Sequence, residues 1–271
     1  SCICSVFHPI KTNIFVFMIL TFLGTGTSQG IPVIACDCSI CSSVDPKDNR
    51  LRSSVMITID TQNYVIDTGP DFRQQMLREK VLDVRAILFT HEHKDHVAGM
   101  DDIRAFNFKH QKDTDVYCDL NVQKALLREY PYVFSDFKYP GVPEVVVHQI
   151  CKKDVFAIDG NLFTPIEVMH YKLPVLGFRV KDLTYITDAK TISDVEIEKI
   201  KGSKVLVVNA LRRAEHISHF NLEQALDLIA KVKPKKAYLT HLSHLMGLHS
   251  EVSLELPANV YIAYDGLQVK C

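Results

Sequence analysis

The stretch Ile87-Leu-Phe-Thr-His91-Glu-His93-Lys-Asp95-His96 ends an apolar run in four potential metal ligands within six residues. A buried strand stopping there would carry all four on one loop. His91 and His93 can point one way while Asp95 and His96 point another, so a single loop can serve two ions. Imidazole and carboxylate together suit borderline divalent ions such as zinc, manganese or iron. A second cluster, Cys36-Asp-Cys38-Ser-Ile-Cys41, holds three of the eight cysteines. They stand too close together to pair comfortably as disulfides, yet are well spaced to hold one metal ion.

The H-x-H-x-D-H spacing resembles the metallo-β-lactamase superfamily, over nearly the whole chain from about Met18 to Lys270. The resemblance implies an α/β fold, an αββα sandwich of two mixed sheets flanked by helices. It also implies further ligands. His170 in Val168-Met-His170-Tyr, Asp188 in Tyr185-Ile-Thr-Asp188-Ala and His241 in Tyr238-Leu-Thr-His241 match the family's later positions. The implied assignment gives His91, His93 and His170 to one divalent ion, zinc or manganese, and Asp95, His96 and His241 to a second, with Asp188 bridging. Asp67, in Asp67-Thr-Gly69, matches the early aspartate that orients the site from behind the ligands. An aspartate at position 188 is similar to the phosphodiesterase and thioesterase branches rather than to several β-lactam-cleaving members.

The turn Gly24-Thr-Gly-Thr-Ser-Gln-Gly30 followed by the three cysteines resembles the phosphoribosyl 1,2-cyclic phosphate phosphodiesterases of the phosphonate pathway. In that family three cysteines and a late histidine hold a structural zinc, and His244 matches that histidine. The set Cys36, Cys38, Cys41 and His244 leaves no open coordination position, so its implied role is stabilising. The family's catalytic histidine precedes an N-L-x-x-A helix, where His219 fits best and His216 is the near alternative. The implied reaction opens a small cyclic phosphodiester by attack of a metal-bridging hydroxide, with His219 as general acid. The alternatives are a tRNA 3′-end endonuclease, a glyoxalase II-like thioesterase, and a metal-bound accessory protein of pyrroloquinoline quinone synthesis. A homodimer is expected by the resemblance alone.

The glycine-rich turn lacks the lysine of a nucleotide-binding loop and reads as a tight turn lining the cleft. His8, His110, His148 and His249 have no converging companions and read as structural or solvent-facing.

The elements that must position these groups follow from periodicity. Val55, Ile57 and Ile59 alternate with other residues as in a half-buried strand. Short apolar runs at Tyr64–Ile66, Ala86–Phe89, Val145–Val147, Leu162–Val168, Gly177–Val180, Val205–Val208, Ala237–Leu239 and Val260–Ala263 read as further strands. Leu222, Ala225, Leu226, Ile229 and Ala230 share one helical face, with Asn221 and Gln224 as a capping box and Pro234 beyond. Asn121–Tyr130 and Ser193–Lys201 read as helices too.

Over 271 residues the chain is 47% hydrophobic and 23% charged, which excludes a disordered or collagen-like polymer. The formal net charge of −1 disfavours a long nucleic acid as partner and suits a small phosphodiester. The apolar run Ile14–Leu23 is too short to span a bilayer and reads as a first strand, with no membrane association expected. Met18 is the expected native start, residues 1–13 an expected disordered extension, and residues 14–271 one hydrolase domain. The scattered remaining cysteines suggest a reducing, cytoplasmic setting.

Overall fold

Alternating apolar side chains build two sheets face to face. The computed structural model describes residues 17–271, so the expectations for residues 1–13 and for a strand beginning at Ile14 lie outside the described residues. In chain order the strands are β1 (Met18–Gly24), β2 (Ser54–Ile59), β3 (Gln62–Ile66), β4 (Ala86–Leu88), β5 (Thr114–Cys118) and β6 (Val145–Gln149). They continue with β7 (Phe156–Ile158), β8 (Asn161–His170), β9 (Leu173–Val180), β10 (Leu183–Tyr185) and β11 (Thr191–Ile192). The last four are β12 (Val205–Asn209), β13 (Lys236–Thr240), β14 (Val260–Ile262) and β15 (Gln268–Lys270).

One sheet runs β15-β1-β2-β3-β4-β5-β6 and the other β11-β8-β9-β10-β12-β13-β14, with β7 paired to β8. Both are mixed. Strands β3 to β6 are mutually parallel, and so are β10, β12, β13 and β14. Ligand sites in such sheets gather beyond the carboxyl ends of the parallel strands, where backbone polar groups are left without ladder partners.

The core lies in three layers. Leu20, Ile57, Tyr64 and Leu88 of the first sheet meet Phe163, Phe178, Tyr185 and Val207 of the second between the sheets. Val65, Ile87 and Val116 face outward against Phe72, Met76, Val122 and Leu126, which lie on helices Phe72–Arg78 and Leu120–Glu129. Leu206, Val208 and Leu239 pack outward under Ile197, Ala225, Leu228 and Val252. Each fully buried side chain of this size contributes roughly 1.5–3 kcal/mol. The β2 strand, expected to be half-buried, is covered on both faces because Met56 packs under the outer helices while Ile57 faces the other sheet.

Helix Leu222–Val232 begins with the expected capping box: Asn221 accepts from the Gln224 backbone, and the Gln224 side chain accepts from Asn221. It ends at Lys233 in a left-handed conformation, just before Pro234. Helices Phe72–Arg78, Lys94–Val97 and Arg104–His110 were not expected from periodicity. With seven residues or fewer they complete too few turns to show a repeating face, and tertiary contacts stabilise them instead. No helix among the described residues is long and apolar enough to cross a membrane.

Candidate metal centre

The sequence-predicted ligands all lie where strands stop. Asp67 follows β3, the His91–His96 segment follows β4, His170 closes β8, Asp188 lies beyond β10, and His241 follows β13. Three of them turn the chain through the left-handed region, with φ of +66° at Asp67, +56° at Asp188 and +56° at His241. Such a conformation costs a non-glycine residue about 1–3 kcal/mol and persists only where surrounding contacts impose it. Here the turn aims each polar side chain across the sheet ends.

Glycines let the two ligand loops meet. A Cβ on Gly69 would lie 2.2 Å from the Asp95 carbonyl oxygen, and one on Gly99 2.1 Å from the Gly69 carbonyl oxygen. The Thr68 amide donates to the His96 carbonyl at 2.8 Å and the Gly99 amide to the Thr68 carbonyl at 2.7 Å. The glycines of the D-x-G segment and of the loop after His96 are thus spacers that bring Asp67 under the histidines.

Most ring orientations follow from what one ring nitrogen contacts. His96 Nδ1 lies 2.7 Å from Asp67 Oδ2, and His170 Nδ1 lies 2.8 Å from the Ser218 carbonyl. His91 Nδ1 lies 3.0 Å from Thr90 Oγ1, whose own proton is donated to Asp67 at 2.8 Å. In each case the other nitrogen, Nε2, faces inward. His91 Nε2 lies 3.0 Å from His93 Nδ1, so these two rings converge through different nitrogens. His96 Nε2 is buried and has no hydrogen-bond partner, while standing 3.2 Å from Asp95 and 3.3 Å from Asp188. A buried imidazole nitrogen without a partner, facing two carboxylates, fits a divalent cation.

Ligand atoms come within 4.8 Å of one another in three overlapping sets: His91, His96 and Asp188; Asp95, His96 and His241; and His170, Asp188 and His219. The second contains the trio the resemblance assigns to one ion. His91, His93 and His170, assigned to the other, form no such set, although their ring centroids lie 4.6 to 5.9 Å apart. His219 is brought in as well, with Nε2 3.0 Å from Asp188 Oδ1. His216 stands behind it, Nδ1 to Nδ1 at 3.2 Å, with Ser218 Oγ within 3.2 Å of both.

The electrostatics favour positive charge. Burial disfavours ionisation of Asp188 and Asp95, but His241 and His96 outweigh it at Asp188, and His96 outweighs it at Asp95, so both stay well below the usual carboxylate range. Burial also opposes a charge on His96, yet Asp95, Asp188 and Asp67 together hold its proton well above the usual imidazole range. Burial pushes His91 and His170 down, and His241 to about 4, which keeps their lone pairs available.

The cysteine cluster closes around His244, with Sγ of Cys36, Cys38 and Cys41 at 3.3, 3.4 and 3.5 Å from its Nδ1. A tetrahedral zinc with ordinary Zn–S and Zn–N bonds has S···N edges of about 3.6 Å. The donor set therefore fits zinc with little adjustment. The Cys41 amide is the main influence holding Cys38 down at about 6, whereas burial lifts Cys41 to about 11.

Residues 62–242 match the β-lactamase superfamily domain. The chain belongs to the β-lactamase superfamily. A solved diphosphatase from the PhnP family is 36% identical, with a TM-score of 0.88 over 94% of this chain and 97% of that one. An octanoyltransferase of Porphyromonas gingivalis is 38% identical over 248 residues, 91% of this chain. A coenzyme PQQ synthesis protein B of Methylorubrum populi is 32% identical over 202 residues. The chain spans half the length of the first of these two curated relatives and 61% of the second, so each printed name describes a longer protein.

Within this superfamily frame, several supporting residues carry no sequence signal of their own. Thr90, Ser53 and Thr187 contact the ligands through single hydroxyls. Asn209, at the end of β12, clasps Ala189 with both ends of its amide, at 2.8 and 3.0 Å, and so holds the turn at Asp188. A lone serine, threonine or asparagine at a strand end is too common for spacing to single out. In the glycine-rich turn the amides of Gly26, Thr27 and Gly30 are spent on backbone carbonyls, which agrees with a turn rather than a phosphate cradle. Of the histidines read as structural or solvent-facing, His148 bonds Asp115, His110 bonds the Leu82 carbonyl, and His249 lies buried against Arg50. His8 lies outside the described residues.

Proposed function

We propose that the chain is a metal-dependent phosphodiesterase acting on a small cyclic phosphodiester of the phosphoribosyl 1,2-cyclic phosphate type. The observation that carries the reading is the convergence of His91, His93, Asp95, His96, His170, Asp188 and His241 on one end of both sheets. These residues would hold two zinc or manganese ions, with Asp67 orienting them. Bound there, the ions supply charge neutralisation at a phosphoryl group and activation of water.

The chain's own groups do the rest. His219 meets the ligand cluster through Nε2 and meets Ser218 and His216 through Nδ1. A proton held at Nε2 can pass to the leaving oxygen, while the Nδ1 contacts keep the ring in position. Such general acid catalysis contributes roughly 10²- to 10⁴-fold. Cys36, Cys38, Cys41 and His244 would hold a third, structural zinc. The near-neutral charge of the chain suits a small substrate over a long nucleic acid.

A second reading is hydrolysis of a diphosphate linkage, favoured by the printed activity of the 36% identical PhnP-family diphosphatase. Chelator-stripped protein resupplied with manganese or zinc separates the two. It would be given bis-p-nitrophenyl phosphate, a ribose 1,2-cyclic phosphate and a nucleoside diphosphate sugar. Metal-dependent turnover of the first two supports the phosphodiesterase. Turnover of the diphosphate alone selects the second reading. No turnover with both ions bound overturns both and favours an accessory role like that of the coenzyme PQQ synthesis protein.

A further inference from the structure

His241, like His91 beside Thr90, is oriented by hydroxyls, whereas His96 and His170 are not. His96 uses a carboxylate and His170 a backbone carbonyl, groups that can only accept. His241 Nδ1 meets two hydroxyls, Ser53 Oγ at 3.2 Å and Thr187 Oγ1 at 3.4 Å. A hydroxyl can donate or accept, so the tautomer of His241 depends on where those two protons go.

Both are already committed. Ser53 Oγ donates to the Gly26 carbonyl at 2.8 Å, and Thr187 Oγ1 donates to Asp188 Oδ2 at 2.6 Å. A carbonyl and a carboxylate have no proton to give back. Each hydroxyl therefore offers only a lone pair toward His241 Nδ1. All three residues are buried, with Ser53 and His241 at 1% exposure and Thr187 at 0%, so water is poorly placed to substitute. A proton on Nδ1 gives both lone pairs a partner and leaves Nε2 as the atom that faces the ligand cluster. At that atom Thr27 Oγ1 stands 3.2 Å away and Asp188 Oδ1 3.3 Å away.

We infer that Ser53 and Thr187 form a paired hydroxyl switch-plate that locks His241 in the Nδ1–H tautomer and so directs Nε2 to an active-site cation. The pair reaches across the molecule: Ser53 precedes β2 of one sheet, and Thr187 follows β10 of the other. Thr187 has a double task, since the same hydroxyl also restrains the Asp188 carboxylate. Of the candidate ligands Ser53 touches only His241, its own proton going to the Gly26 carbonyl. This inference rests on the metal-dependent reading proposed above, but it concerns residues outside the ligand set.

The test uses Ser53→Ala, Thr187→Val, the double variant and the conservative Thr187→Ser, in the full chain. Two readouts are taken: zinc and manganese affinity by competition with a chromophoric chelator, and the ¹⁵N–¹H long-range imidazole spectrum of protein stripped of active-site metal. His241→Gln assigns the resonance. The expected result is an Nδ1–H pattern for His241 in the unsubstituted protein and a shift toward Nε2–H in the double variant. Affinity for one ion should fall about 10- to 100-fold in that variant, the range usual for groups that orient metal ligands. Thr187→Ser should restore both readouts. An Nδ1–H tautomer with unchanged affinity in the double variant overturns the inference. Absence of active-site metal binding by the unsubstituted protein would instead overturn the metal-dependent reading, while its tautomer spectrum would still judge the hydroxyl pair.

Discussion

The Asp67 carboxylate lies 2.7 Å from Nδ1 of His96, and neither side chain is exposed to solvent. The same carboxylate accepts the Thr90 amide and hydroxyl, both at 2.8 Å. It therefore ties the end of β3 to the loop that follows β4 and sets the rings of His96 and, through Thr90, of His91. Burial works to raise the carboxyl of Asp67, while His96 and Thr90 favour its charged form.

Replacing this carboxylate by an amide should weaken metal binding. In Asp67→Asn one of the two oxygens becomes an NH2 that cannot accept, and at least one of the three donors is left buried without a partner. The expected outcome is a loss of about 10- to 100-fold in affinity for an active-site ion. Stability should fall by roughly 1–3 kcal/mol. Chelator competition and urea unfolding check the two effects.

The close approach at Gly69 predicts intolerance of the smallest side chain. Gly69→Ala would place a Cβ 2.2 Å from the Asp95 carbonyl oxygen, so the ligand loop must move. We expect destabilisation of about 1–3 kcal/mol, the usual cost of overpacking. Metal affinity should drop with it, because Asp95 and His96 ride on the displaced segment. Gly160→Ala is the control, with no neighbour within 4 Å of the added carbon and only its backbone strain at φ +78° to bear.

His219 and His216 should separate kinetically. With His219 as general acid, His219→Gln lowers kcat by about 10²- to 10⁴-fold. Active-site metal content should be unchanged. His216→Gln should cost less, since it touches His219 at Nδ1 and not the ligand cluster. Elemental analysis beside turnover decides the role. Loss of an ion from His219→Gln would make that residue a ligand, as its grouping with His170 and Asp188 allows.

A zinc held by Cys36, Cys38, Cys41 and His244 would stabilise the protein, so its loss should lower stability without direct loss of an active-site ion. Cys38→Ser is expected to lower bound zinc by one equivalent and to lower Tm. Hydrolysis per remaining folded molecule should persist at low temperature. Zinc content and calorimetry on the same samples provide the check.

Asp265 carries a pH signature. Burial lifts its carboxyl to about 6, although the Leu51 amide and Thr25 hydroxyl stabilise the charge. An acid raised in the folded state holds its proton there while the unfolded chain has lost it. Its stabilising contribution is therefore present below the ordinary value of 3.8 and declines as pH rises toward 6. Asp265→Asn removes this slope. The stability difference, variant minus unsubstituted protein, should rise by up to roughly 3 kcal/mol from pH 4 to pH 7. Guanidinium unfolding at several pH values measures it, and a flat difference would refute the assignment.

Much of the candidate site was legible before any fold was known. Four candidate ligands fall within one six-residue loop, and three cysteines within another, because a chain turning at a strand end can present neighbouring side chains to one ion. The capping box at Asn221 was equally local. Other features required the tertiary structure. His170, Asp188 and His241 could be found only by resemblance, since their nearness to His91 comes from stacking one sheet on the other. The short helix Phe72–Arg78 has no repeating face to read and exists by packing against the first sheet. Ser53, Thr187 and Asn209 act through one or two hydrogen bonds each, between segments up to 188 residues apart. Donor types are written in local spacing, whereas the direction in which each lone pair points is decided by contacts across the sandwich. For that reason the sequence determined which chemistry is present, and only the fold decided how its atoms face one another.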